Sequence, residues 1–152
     1  MNPIILATDG SPSAADATTE AVELARATGA KLFVVSVWHA GLTTYSQAAL
    51  PEKKRRAKEH AWSAVSAAVE VAARAGVVAE PFVLEGDAVE RLCDVAADTK
   101  ASLVVVGSHG FGAVRRLVFG SVSTALRHRA PCAVLVVPPA EQTASRRAAE
   151  AA

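Results

Sequence analysis

Apolar residues in this chain occur in two alternating kinds of segment. Ile4–Ala7, Leu32–Val37, Leu103–Val106 and Ala133–Val137 are short, nearly unbroken apolar runs, as expected of strands covered on both faces. Between them the apolar positions take helical spacing: Ala14, Ala17, Ala21, Leu24 and Ala25, then Ala61, Trp62, Val65, Ala68, Val69 and Ala72, then Val89, Leu92, Cys93 and Ala96. Polar punctuation agrees with this division. Ser11 is suited to cap the first helix, Pro12 to its first turn and Gly29 to its end. The second helix begins near Pro51 and stops at Gly76, and Asp87 with Glu90 resembles a capping box for the third. Val77–Leu84 reads as a further strand, and Pro81 within it places that strand at a sheet edge. Ser121–Arg129 reads as a short fourth helix, residues 39–50 as a polar loop.

The resulting alternation, β-α-β-α-β-α-β-α-β, predicts an α/β fold: one doubly wound, Rossmann-like parallel sheet of five strands with helices on both faces. Right-handed crossovers follow from that chirality. Residues 1–139 form the predicted domain, and the alanine-rich residues 140–152 a flexible C-terminal tail. With strand order 3-2-1-4-5, the order reverses between strands one and four. Ligands of such sheets bind at that reversal, beyond the carboxyl ends of the strands.

Composition narrows the function. A chain of 152 residues buries enough surface to need no staples. Its net charge of +1 supplies no global field for nucleic acid or a membrane surface. No apolar run reaches the ~20 residues of a membrane span, and the start at Met1-Asn2-Pro3-Ile4 lacks a basic stretch ahead of an apolar one. Cys93 and Cys132 lack metal-ligand spacing and read as reduced core thiols. The expectation is a cytoplasmic protein. His39, His60 and His128 have no carboxylate or cysteine at ligand spacing, so no metal site is expected of the chain itself. The basic run Lys53–Lys58 reads as a solvated helix end.

The candidate chemistry lies after the fourth strand. Val106-Gly107 is followed by Gly110 and, nine residues later, by Gly120-Ser121-Val122-Ser123 at a helix start. Glycines permit positive φ and close backbone approach, and helix-start amides beside a serine bind anions. Asp9, at the end of strand one, faces this loop across the predicted crevice and is suited either to ribose hydroxyls or to capping. Ser121 reads both as an N-cap and as a phosphate contact, and His109 as a turn histidine. Neither G-x-G-x-x-G nor a Walker A loop occurs, which argues against an NAD-type site and a P-loop.

The pattern Gly107-x2-Gly110-x9-Gly120-Ser121, with Ala7-Thr8-Asp9-Gly10-Ser11 at the start and Ala130–Val137 at the end, resembles the ATP-binding universal stress proteins over residues 1–138. That resemblance implies a homodimer with strand five near its axis, and ATP with Mg²⁺ as ligand. It places adenine against Ala7, Thr8 and Val37, and Asp9 at the ribose or adenine side. Gly107, Gly110, Gly120 and Ser121 are then the phosphate residues, with Val106, Val122 and Ser123 beside them. Arg115 and Arg116 stand in the intervening loop, placed to offset phosphate charge. The implied function is a nucleotide-dependent regulatory module of the stress response. A slow ATPase or nucleotidyl-transfer enzyme, a cyclic-nucleotide binder and a flavin or electron-transfer subunit are the rivals. No nucleophile–base pair with a third orienting group is evident in the sequence, so no catalytic residue is assigned.

Overall fold

The computed structural model describes residues 2–39, 50–110, 120–140, 144 and 148–151. Arg115, Arg116 and most of the 39–50 loop lie outside the described residues. The strands are β1 (Ile4–Ala7), β2 (Leu32–Trp38), β3 (Ala79–Glu85), β4 (Leu103–Gly107) and β5 (Ala133–Val137). The helices are α1 (Pro12–Thr28), α2 (Leu50–Arg74), α3 (Ala88–Asp98) and α4 (Ser121–Arg129). All strand pairs are parallel and the order is β3-β2-β1-β4-β5. The predicted reversal is therefore present, and β1 runs between β2 and β4.

Alternation along each buried strand divides the core in two. Ile4 and Leu6 of β1, with Leu32 and Val34 of β2 and Val105 of β4, meet Ala17, Ala21 and Ala25 of α1 and Val65, Ala68 and Ala72 of α2. Ile5 and Ala7, with Phe33, Val35, Val104 and Val106, meet Val89, Leu92 and Ala96 of α3 and Leu126 of α4. Alanine on the helices lets their axes approach the sheet closely, which accounts for a core with so few aromatics. Pro81 is tolerated because β3 is an edge strand paired only with β2.

Local signals act as the sequence implies. Ser11 Oγ accepts the Ala14 N–H at 3.2 Å, and Gly29 ends α1 in the left-handed conformation at φ 67°. Asp87 Oδ1 accepts the Glu90 N–H at 2.9 Å, forming the first half of a capping box. The start of β3 differs from expectation. Val77 N–H donates to Ala72 O at 2.9 Å and Gly76 N–H to Ala73 O at 3.0 Å, the two bonds of a Schellman ending. Val77 thus closes α2, and Val78 is exposed before the strand begins at Ala79. At the other end of the chain, Ala140 N–H donates to Asp16 Oδ2 at 3.1 Å, tying the segment after β5 to α1.

The basic start of α2 is paired. Arg55 binds Glu52 at 2.7 Å and Glu59 at 2.6 Å, Arg56 binds Glu52 at 3.0 Å, and Lys54 lies 3.7 Å from Glu85 of β3. Hydrogen bonds from Arg55 and Arg56 hold the Glu52 carboxyl below its ordinary range. These pairs are exposed, so each contributes little to stability.

Cys93 and Cys132 are free thiols packed at the margin of the α3–α4 side of the core. Burial pushes both above the ordinary cysteine range, with Arg129 drawing Cys93 partly back. Where the folded-state value is raised, the unfolded chain releases the proton first as pH climbs. The stabilisation is complete below the ordinary thiol range and is lost as pH rises through the folded values. Native protein at pH 8 is therefore expected to react with iodoacetamide more slowly than the urea-unfolded chain, because only the thiolate attacks. Equal rates would remove the burial argument.

Candidate functional site

A cavity of about 710 Å³ opens at the carboxyl ends of β1, β2 and β4. All eleven residues singled out from the sequence line it: Ala7, Thr8, Asp9, Val37, Val106, Gly107, Gly110, Gly120, Ser121, Val122 and Ser123. Strand ends, a turn and a helix start, far apart in sequence, are brought together by the β1–β4 pairing that sets Ala7 beside Val106.

The turn after β1 is built by its own side chains. Gly10 N–H donates to Thr8 Oγ1 at 3.2 Å, and Ser11 N–H donates to Asp9 Oδ1 at 2.9 Å. One carboxylate oxygen of Asp9 is thus committed to the turn. The other, Oδ2, lies against Gly110: a Cβ added there would stand 2.6 Å from it. Gly10 holds φ +79° and packs on α2, where its missing Cβ would meet Ala64 Cβ at 3.2 Å.

Positive φ is not what the signature glycines supply. None of Gly107, Gly110 and Gly120 adopts positive φ. Each is small because protein atoms occupy the place of a side chain. At Gly107 a Cβ would stand 2.6 Å from Ser13 Oγ and 2.8 Å from the Ser13 backbone C and O, so this glycine lets β4 lie against the start of α1. At Gly120 it would stand 3.1 Å from Ser108 O. Gly120 N–H also donates to Ser108 O at 2.6 Å, which joins the two ends of the intervening loop.

The start of α4 corrects the reading of Ser121. The N-cap is Gly120, with no side-chain cap, and Ser121 is the first helical residue. The first ladder bond is Thr124 N–H to Gly120 O at 3.0 Å. The amides of Ser121, Val122 and Ser123 stand outside the helix's own ladder, as the first amides of any helix do. By contrast, α1 and α3 are capped by Ser11 and Asp87. Ser123 is buried, and its hydroxyl donates inward to Gly120 O at 3.0 Å. Its side chain organises the helix start.

The opposite wall of the cavity was not evident from the sequence. Ala57, His60 and Ala61 of α2 form part of it, together with Trp38, Ala88 and Leu92. The signal available was their i, i+3, i+4 spacing, but only the docking of α2 over the β1 turn shows which face meets the cavity. Among the described lining residues, Asp9 is the one acidic side chain, and His39, His60 and His109 are the basic groups. His109 is half-buried, with Nδ1 2.8 Å from Ser108 Oγ. No three His, Cys, Asp or Glu side chains among the described residues gather into a group that could hold a metal ion.

An open doubly wound sheet with a cavity at its order reversal and a helix start without a side-chain cap in its wall is a Rossmann-like α/β architecture, whose ligands bind at that reversal. The Universal stress protein family model matches residues 1–138, and the chain belongs to that family. It is 30% identical over 146 residues to the universal stress protein YxiE of Bacillus subtilis, covering 90% of this chain and 99% of that one. The universal stress protein UspA from Lactobacillus plantarum superposes with a TM-score of 0.79 at 24% identity, over 90% of this chain and 97% of the other. A universal stress protein crystallised in complex with cAMP superposes at 0.71 with 26% identity, over 91% of this chain and 98% of the other.

Proposed function

We propose that this chain is an adenine-nucleotide-binding regulatory module of the stress response, with ATP accompanied by Mg²⁺ as its ligand. The observation that carries this reading is the meeting of Asp9 and the uncapped start of α4 in one cavity otherwise lined mainly by small apolar residues. In this reading adenine lies against Ala7, Thr8 and Val37, and Asp9 Oδ2 accepts from the ribose hydroxyls. The phosphates lie at Gly107, Gly110 and the Gly120–Ser123 start of α4, beside Val106. Mg²⁺ finds one described carboxylate in the lining, so phosphates and water complete its shell. A universal stress protein of the same fold crystallised in complex with cAMP supports an adenine nucleotide as the ligand class. It also favours a second reading, a cyclic or monophosphate ligand, because the described lining contains neither lysine nor arginine.

Binding regulates only if the nucleotide prefers one state of the protein over another. We assign that second state to assembly. β5 has β4 on one side, and its residues Ala133–Val136 are exposed or half-buried. A second copy pairing along that edge forms a homodimer, the form we propose for the protein in the cytoplasm. Among the described residues no helix is long and apolar enough to cross a membrane.

Calorimetry with ATP, AMP and cAMP tests the reading directly. We expect saturable ATP binding with negligible phosphate release in the presence of Mg²⁺. Steady phosphate release would move the chain to the enzyme class, and absence of heat with all three ligands would overturn the nucleotide reading. Asp9→Ala is expected to weaken ATP about tenfold, on the scale of a charge-assisted hydrogen bond, and to leave inorganic tripolyphosphate unaffected. Equal loss for both ligands would assign Asp9 to loop structure alone.

A further inference from the structure

Asp9 belongs to a turn whose position depends on another element. Its backbone carbonyl lies 2.9 Å from His60 Nε2 on α2, across 51 residues of sequence. A carbonyl only accepts, so the ring nitrogen is the donor and carries a proton at Nε2. The next residue, Gly10, packs against Ala64, one helical turn beyond His60, and its absent Cβ lies 3.8 Å from the same ring nitrogen. The other α2 residues in the cavity wall are the alanines Ala57 and Ala61. His60 is thus the one long α2 side chain there, and it reaches the backbone of the turn. It is exposed, so the core does not require it.

We infer that His60 is a positioning residue for the nucleotide: its Nε2–H holds the Asp9 carbonyl and so sets where the Asp9 carboxylate stands. This rests on the nucleotide reading above. Among the described contacts, Ser11 N–H binds the carboxylate at Oδ1 and His60 holds it through the main chain, while Oδ2 stands where a side chain at Gly110 would begin. The first of these contacts is local to the turn, while His60 connects the turn to a helix of the sheet's outer layer. Preorganisation of this kind lowers the cost of ordering the turn when ligand arrives.

The test compares the full-length protein with His60→Ala and His60→Gln. Glutamine places an amide N–H where Nε2–H stood. His60→Ala is expected to weaken ATP binding three- to tenfold, the range of one neutral hydrogen bond, with inorganic tripolyphosphate unaffected. His60→Gln is expected to recover most of that loss, which side-chain bulk alone would not explain. Nitrogen-15 shifts of the His60 ring are expected to show a protonated Nε2 in the ligand-free protein. Wild-type affinity in His60→Ala, equal loss in both variants, or an unprotonated Nε2 would each overturn the positioning role. Absence of ATP binding by the unaltered protein would instead overturn the nucleotide reading and the positioning role with it, while a protonated Nε2 would leave the contact itself standing.

Discussion

Gly107→Ala is expected to destabilise the fold by about 3 kcal/mol, the upper part of the range for overpacking a tight interior. The added methyl group would stand 2.8 Å from the backbone carbonyl of Ser13. Backbone at the first turn of a helix cannot rotate away as a side-chain tip can, so either α1 or β4 must move. The same contact aligns the cavity floor, where His109 N–H donates to Ser13 Oγ at 3.4 Å and Ser11 Oγ to His109 O at 3.5 Å. A urea unfolding midpoint measures the loss. A change below about 1 kcal/mol would show that α1 and β4 slide apart freely and that Gly107 is not a packing residue.

Gly110→Ala is expected to separate binding from stability. Its neighbour at 2.6 Å is Asp9 Oδ2, the far end of a side chain that can rotate. The fold should lose less than about 1 kcal/mol, as a surface substitution does. Affinity for ATP should fall about tenfold, because the carboxylate has to leave the position in which it meets the ribose. The coupling is testable by a double-mutant cycle. With Asp9→Ala already present, Gly110→Ala should cost less than about twofold, since nothing remains to be displaced. Fully additive losses would show that Gly110 acts by admitting the phosphates to the backbone, independently of Asp9.

These two glycines show what could be read along the chain and what could not. Their spacing, with Gly120-Ser121, singled out residues that line one cavity. The reason for glycine was not legible, because it depends on atoms distant in sequence: Ser13 behind Gly107, Asp9 beside Gly110 and Ser108 behind Gly120. Ser121 was misread as a cap for a related reason. A serine at a helix start resembles a cap, but only backbone geometry shows that Gly120 occupies that position and leaves the helix start without a side-chain cap. The beginning of β3 was misplaced because Val77 is apolar for the sake of a helix ending, which a run of valines disguises as strand.

Local patterning determined the elements of this protein. Unbroken apolar runs, helical spacing and punctuation by Ser11, Gly29, Gly76 and Asp87 are patterns spanning a few residues, legible without any long-range contact. Pro81 even marked its strand as an edge, since a missing N–H limits pairing wherever that strand lies. Tertiary structure decided which side of each element has work to do. It set Ala57, His60 and Ala61 into the cavity wall and left the paired charges of Lys54, Arg55 and Arg56 outside it. The cause is that a helix's spacing defines its faces but not its rotation relative to a distant turn, which the docking of α2 on the sheet and Gly10 alone determines.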